Sequence, residues 1–264
     1  MVNSVRFVAL GDSATLGVGD PVDGGWRGWA RLLADAMGHD IDVSFSNVAV
    51  SGATAADLRH HQLEAATAQR PDLASLIVGL NDTMRAGWDP RVLRHDILSA
   101  ADALHHSGAV LLTARFHDHG AVLGLPGILR RPMWRRIVEL NAVYDEVTST
   151  YGGVVLDLLG RPEVARREFW SMDRLHPSEL GHRQLAWEFA HLLQDVGLHF
   201  PLPSLVSEGT RAGRLSEARW LLTEGVPWIA RRAGDLGPWA TRLACAEVAT
   251  MLRLPESAVR SLKA

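Results

Sequence analysis

Five short apolar runs punctuate the first 200 residues, at 5–10, 42–48, 73–78, 109–114 and 153–157. They are rich in Val, Leu, Ile and Phe, and apolar and polar positions do not alternate cleanly along them. A strand with one wet face alternates; a strand buried on both faces does not. The pattern therefore predicts a parallel sheet covered on both sides. Between the runs, apolar residues recur at helical spacing over about 26–38, 54–68, 89–107 and 133–150, with a last such stretch at about 179–196. Asp89-Pro90 reads as a helix start, with Pro at the first helical position. Repeated strand–helix units with right-handed crossovers give a three-layer α/β/α domain.

Two segments fall outside this rhythm. Residues 115–132 connect the fourth run to the next helix and carry Gly120, Gly124, Pro126, Gly127 and Pro132 among apolar side chains. They read either as a lid or binding loop, or as an irregular helix covering the sheet. Residues 197–213 are rich in Pro, Gly and Ser and read as a linker. Helices are expected beyond it at about 214–233 and 238–253, with a short one at 256–263. The chain thus divides into a domain over 1–200 and a helical C-terminal extension over 201–264.

Composition narrows the chemistry. The net charge is −3, but residues 201–264 carry nine basic and six acidic side chains, a balance of +3 that leaves −6 on residues 1–200. This does not describe a nucleic-acid-binding surface, and nucleic acid is not an expected partner. The single cysteine, Cys245, excludes an intrachain disulfide and a Cys-based zinc motif; its Ala-rich helical setting reads as buried. The single lysine, Lys263, disfavours Schiff-base chemistry and a P-loop. Residues 5–10 are too short for the core of a signal peptide, and no apolar run approaches a membrane span, so a cytoplasmic location is the expectation.

Functional loops of a doubly wound sheet gather at the carboxyl ends of its strands. Ser13 follows the first run, Gly52 the second and Asn81 the third. A strand order of 2-1-3 makes these loops neighbours. A serine hydroxyl needs a base to become nucleophilic, and His176 is the candidate. Asp173, three residues earlier, is placed to take the other ring N–H and fix the tautomer. The backbone N–H groups of Ser13 and Gly52 and the Asn81 side chain are candidate donors to an oxyanion. A helix starting at Ser13 would aim its N-terminal amides at the same point.

With these residues in place the chain resembles the GDSL, or SGNH, hydrolase superfamily. The matching stretches are GDSATLGVGD at 11–20, NVAVSG at 47–52, GLND at 79–82 and DRLHPSELGH at 173–182. They occur in the family's order and cover most of residues 1–195. The four residues that give SGNH its name fall on Ser13, Gly52, Asn81 and His176, and the supporting aspartate on Asp173. The third motif often has a second glycine where Leu80 stands here. The resemblance implies a flavodoxin-like α/β/α fold with a five-stranded parallel sheet. It also implies hydrolysis of esters, thioesters or amides without a metal or other cofactor.

Other residues offer rival chemistries. Ser51 also follows a strand, but no Gly-x-Ser-x-Gly elbow surrounds it, and it reads as a helix-capping residue. Asp12, Asn81, His176 and His182, or the run His117-Asp118-His119, suggest a metallophosphoesterase. Residues two apart on a loop do not define a metal site, and twelve histidines make chance adjacency common. His182 on the last helix of the domain reads as a packing or surface residue. Residues 246–263 loosely resemble a helix-turn-helix, but Arg253 stands where the turn glycine is usual. A helix pair packed on the catalytic domain or a second subunit is the simpler reading, and Trp220, Trp228 and Trp239 suit such packing.

The sequence therefore reads as a serine esterase acting on a small-molecule ester. An acyltransferase on the same residues and a non-catalytic binding protein are the alternatives. Arg85, Trp88, Phe116, His117, Trp170 and Met172 follow the motif-bearing strands or flank the His176 loop and are expected to line the substrate pocket.

Overall fold

The computed structural model describes residues 4–207 and 226–251, with side chains throughout except over 226–236. Strand β1 (Ser4–Gly11) leads into the one-turn helix α1 (Ser13–Leu16). A small antiparallel hairpin of β2 (Pro21–Val22) and β3 (Gly25–Trp26) follows, then α2 (Gly28–Met37) and β4 (Asp42–Asn47). Next come α3 (Ala55–His61), α4 (Leu63–Thr67), β5 (Leu73–Ile77), the one-turn helix α5 (Leu80–Thr83) and α6 (Pro90–His106). Strand β6 (Val110–Arg115), the short α7 (His119–Val122), α8 (Gly127–Tyr151), β7 (Val154–Asp157) and α9 (Glu179–Asp195) complete the domain. The last helix described is α10 (Val226–Met251).

Five strands form one parallel sheet in the order β4-β1-β5-β6-β7. The first three motif-bearing strands are adjacent, as the 2-1-3 expectation requires. Helices α2 and α9 pack together on one face; α3, α4, α6 and α8 cover the other. Central β5 is buried along its whole length, whereas edge β4 is half-exposed. The two faces are sealed by large side chains: Trp29 of α2 stacks on Phe189 of α9 with ring centroids 4.7 Å apart. Tyr144 of α8 is fully buried on the other side.

Three differences from the sequence reading have local causes. The helix expected over 54–68 breaks at Gln62. The Gln62 side chain is buried and bonds both backbone groups of Gly11, accepting from its N–H and donating to its C=O, each at 2.9 Å. The connection 115–132 is shorter than expected because α7 and the first turns of α8 occupy it, and α8 runs through Pro132. Much of the segment is thus helical rather than an extended loop. Likewise α10 begins well before 238 and contains Pro238. A proline in a helix forfeits one backbone bond. The burial of Met133, Ile137 and Leu140 in α8, and of Trp239 and Leu243 in α10, outweighs that loss.

Helix α10 packs along α8. Its buried face carries Trp239, Leu243 and Glu247, the last paired with Arg131 at 3.3 Å and Arg135 at 2.8 Å. Cys245 lies off that face and is exposed, which corrects the expectation of a buried thiol. Trp220, the first part of the helix expected at 214–233, the helix expected at 256–263 and most of the helix-turn-helix resemblance lie outside the described residues. No helix among the described residues is long and apolar enough to cross a membrane.

Candidate active site

Ser13 opens α1, directly after the strand end clamped by Gln62. Asp12 caps the helix: its Oδ1 accepts the Ala14 N–H at 3.0 Å. The Asn47 side chain pins the other end of α1, donating to Thr15 C=O at 2.9 Å. The nucleophile candidate is thus fixed by three polar side chains from three elements. Similar clamps hold the neighbouring strand ends. Tyr144 Oη accepts from Val78 N–H at 2.9 Å and donates to Val78 C=O at 2.8 Å. Asn141 makes the same pair of bonds to Phe116, at 2.7 and 2.8 Å. A strand that has run past its partner leaves backbone groups unpaired, and a buried unpaired group costs about 1–3 kcal/mol. These side chains remove that cost and set the directions in which the loops depart.

The loop between β7 and α9 is folded back on itself. Ser171 N–H donates to His176 C=O and Ser178 N–H to Phe169 C=O, each at 2.8 Å. Arg167 Nη1 ties the Trp170 and Ser171 carbonyls at 2.6 and 3.0 Å. Within this closed loop Asp173 Oδ1 accepts from Ser171 Oγ at 2.6 Å, Leu175 N–H at 2.8 Å and His176 N–H at 3.1 Å. Its Oδ2 lies 2.6 Å from His176 Nδ1, and His176 Nε2 lies 2.8 Å from Ser13 Oγ. A carboxylate only accepts, so Nδ1 carries the ring proton and Nε2 faces the serine as an acceptor. Burial works to raise the Asp173 carboxyl. The bonds from His176 and Ser171, with the attraction of His176, outweigh it and hold the carboxyl at about 2. The orienting group is thus ionised throughout the neutral range.

Gly52 and Asn81 meet on the other side of Ser13. Gly52 takes φ +80°, in the left-handed region that favours glycine. Among the described residues its N–H has no hydrogen-bond acceptor. Asn81 Nδ2 donates to Ala53 C=O at 3.1 Å and approaches Asp12 Oδ2 at 3.4 Å. The Asn81 side chain therefore stitches the Gly52 loop to the residue before Ser13. Burial raises the Asp12 carboxyl to about 6, and that of Asp82, which receives the Ala55 N–H, to about 7. The site is dry enough that fixed dipoles act there at low dielectric.

The residues expected to line a pocket divide into two groups. Arg85, Trp88 and Met172 are part-exposed. Arg85 and Trp88 border a cleft of about 220 Å³ whose wall includes Thr54, Asp82, Asp89 and Asp96; none of Ser13, Asp173 and His176 lines it. Arg85 Nη2 reaches Gly52 C=O at 3.5 Å, which connects this cleft to the Gly52 loop. Phe116, His117 and Trp170 are buried instead. Phe116 packs on Tyr144, and Trp170 Nε1 donates to Val164 C=O at 2.7 Å. The His117 ring lies 4.8 Å from that of Trp170 and its Nε2 is 2.9 Å from His119 Nδ1. Burial lowers His117 to about 3 and His119 well below its ordinary value, so both are neutral. These side chains form the floor under the His176 loop rather than an open wall.

The rival assignments find other places. Ser51 is exposed, and the cap of α3 is Thr54, in a reciprocal capping box with Asp57. Asp118 caps α7 and pairs with Arg130 at 2.9 Å. Among the described residues, no group of three or more His, Cys, Asp or Glu side chains is placed to hold a metal ion. His182 is a buried packing residue. It accepts the Trp29 N–H at its Nδ1 and donates from Nε2 to Val18 C=O. Gln62, Asn47, Asn141 and Tyr144 escaped the sequence reading; their only trace there is a polar atom on an otherwise apolar helix face or strand end.

Comparison with known proteins identifies the family and the fold. The model of the GDSL-like lipase/acylhydrolase family matches residues 9–184. An acetylxylan esterase from Geobacillus stearothermophilus is 25% identical over 185 residues, 67% of this chain and 82% of that protein. The crystal structure of an acetylxylan esterase from the same organism superposes with a TM-score of 0.58 at 18% identity, over 79% of this chain and 99% of that one. A psychrotrophic esterase from Pseudoalteromonas sp., solved inhibited by monoethylphosphonate, gives 0.59 at 14% identity, over 73% and 98%.

Proposed function

Because the chain belongs to the GDSL-like lipase/acylhydrolase family and is a carboxylic ester hydrolase of that kind, we propose that it cleaves carboxylic or thio esters of small or medium acyl groups through an acyl-enzyme on Ser13. The observation that carries this reading is the unbroken chain Asp173–His176–Ser13, with bonds of 2.6 and 2.8 Å. Ser13 Oγ attacks the acyl carbonyl while His176 Nε2 takes its proton. Asp173 keeps the ring oriented and stabilises the imidazolium that forms. The Ser13 and Gly52 N–H groups and Asn81 Nδ2 hold the developing oxyanion. His176 then protonates the leaving alcohol or thiol, and water repeats the sequence to release the acid. Arg85, Trp88 and Met172 contact the substrate. Phe116, His117 and Trp170 support the His176 loop from beneath.

The substrate side rests on the cleft at Arg85 and Trp88, where an aromatic face, a cation and three carboxylates suit a polar alcohol portion. The relative from Geobacillus is named for acetylated xylan, so acetylated oligosaccharides belong in the first panel. Ser13→Ala is expected to lower turnover by on the order of a millionfold with the fold intact, the scale seen when a triad nucleophile is removed. A phosphonate ester should label Ser13, read by peptide mass spectrometry. An adduct on Ser51, or a tenth of wild-type activity in Ser13→Ala, would overturn the assignment. Acyl transfer to an added alcohol, outrunning hydrolysis at equal substrate, would replace the hydrolase with an acyltransferase on the same residues.

A further inference from the structure

The family match ends at residue 184, yet α10 reaches back to the site. Asn81 sits on α5, a single helical turn. A helix this short has no stability of its own, and its last carbonyls lack intrahelical partners. The Asn81 and Asp82 carbonyls take the Met84 and Arg85 N–H groups, whereas the Thr83 carbonyl and those of Arg85 and Ala86 just beyond α5 take side chains from two other helices. Arg136 of α8 donates from Nη1 to Thr83 C=O at 2.8 Å and to Arg85 C=O at 2.9 Å. Trp239 of α10 is buried and donates from Nε1 to the same Thr83 carbonyl at 3.0 Å. Arg242, three residues further on, donates from Nη1 to Ala86 C=O at 2.6 Å. The Arg136 guanidinium also lies over the Trp88 ring, 5.5 Å from its centroid. Every one of these contacts falls on the segment 83–88, which begins two residues after Asn81. The Glu247 pairs with Arg131 and Arg135 fix the position of α10 along α8.

We propose that α10 is a brace for the Asn81 loop, with Trp239 and Arg242 as positioning residues that act through Asn81. The proposal rests on the reading of Asn81 as an oxyanion donor. Cationic and N–H donors at the C-terminal end of α5 satisfy the Thr83 carbonyl and those of the turn that follows, and complement the helix dipole. They also hold the Asn81 amide with its second N–H making only the long 3.4 Å contact to Asp12 Oδ2, which a substrate oxygen would replace. Misplacement of a catalytic donor by about 1 Å can cost about a hundredfold in rate. A helix that only stabilised the fold would contribute to melting temperature and not to turnover in the folded enzyme.

The test is a mutant cycle on the full chain, using an aryl acetate as substrate. Trp239→Phe keeps an aromatic, though smaller, ring and removes the N–H; Arg242→Ala removes the second donor. Together they are expected to lower kcat about tenfold or more with KM within about twofold, because the lost interaction is felt in the transition state. Arg242→Lys, which keeps a donor, should recover much of its share. In an Asn81→Ala background the same pair should cost less than about twofold, since there is no amide left to position. An equal loss in both backgrounds, or unchanged kcat with a lowered melting temperature alone, overturns the brace. The underlying reading fails separately: if Asn81→Ala alone keeps wild-type kcat, Asn81 is no donor and the brace falls with it. If Asn81→Ala is slow while Trp239→Phe/Arg242→Ala is not, only the brace falls.

Discussion

Asn81 has two acceptors within reach, Ala53 C=O and Asp12 Oδ2, and its amide has two hydrogens. One donates to Ala53 C=O at 3.1 Å; the other makes the longer 3.4 Å contact to Asp12 Oδ2, which the proposed tetrahedral intermediate would displace. A donor used more fully in the transition state than in the ground state changes kcat and leaves KM alone. Asn81→Ala is therefore expected to lower kcat about a hundred- to a thousandfold, the range for a single oxyanion donor, with little change in KM. Asn81→Asp should be at least as slow. It would place a second carboxylate against Asp12, which is buried, and oppose the charge that develops on the substrate. Kinetics and melting temperature measured on one preparation decide the matter. Lower stability with intact turnover would make Asn81 a turn residue and remove it from the site.

At the scale of elements, the segment after α1 and the His176 loop interlock. Gly19 takes φ +106°, and a Cβ built there would stand 2.0 Å from Pro177 C=O and 3.5 Å from His176 Cβ. Gly19→Ala must push the loop away, because the obstacle is backbone. His176 then moves off Ser13, and kcat is expected to fall by about a hundredfold or more. Gly24→Ala, also at positive φ but facing open space in the β2–β3 turn, should leave kcat unchanged. Equal kinetics for the two variants would mean that the loop is held by its own bonds alone. Elements of this kind differ in how openly the sequence declares them. Each of the five sheet strands is legible to within one or two residues, because the runs are apolar and bounded by turn residues, continuously so where both faces are buried as in β5. The four motif residues were read because each stands at a strand end or before α9. The β2–β3 hairpin has two residues per strand and carries no pattern. The break at Gln62 and the starts of α8 and α10 depend on partners far along the chain. Gln62 binds Gly11 from 51 residues away, Tyr144 binds Val78 from 66, and Trp239 binds Thr83 from 156. Nothing local to those side chains announces the partner.

At the scale of the whole molecule, His182 joins three elements on one face of the sheet. It lies on α9, accepts from Trp29 N–H of α2 at 3.2 Å and donates to Val18 C=O, after α1, at 3.0 Å. Both ring nitrogens are committed to the neutral tautomer, since a proton on Nδ1 would face the Trp29 N–H. Burial is the main cause that lowers His182 to about 4, opposed by the Val18 bond and by Asp20; His176 and Arg27 add to the lowering. A group whose folded pKa lies below its unfolded value of about 6.5 contributes stability that is full above 6.5 and is lost as pH falls towards 4. Other groups titrate in the same window. His117, at about 3, acts in the same direction, whereas Asp12 and Asp82, raised to about 6 and 7, gain stability as pH falls from neutral. Asp173, at about 2, changes only below about 4. A single melting curve against pH therefore mixes opposite signs, and the informative quantity is the difference between wild type and His182→Gln. Gln does not titrate, so the other groups cancel. The variant is expected to be less stable at pH 7, and the gap should shrink by about 2 kcal/mol at pH 5, because the unfolded wild-type chain binds a proton at His182 that the folded state excludes. Denaturant midpoints at both pH values measure it. A gap of constant size would mean that His182 is not a neutral anchor in the fold.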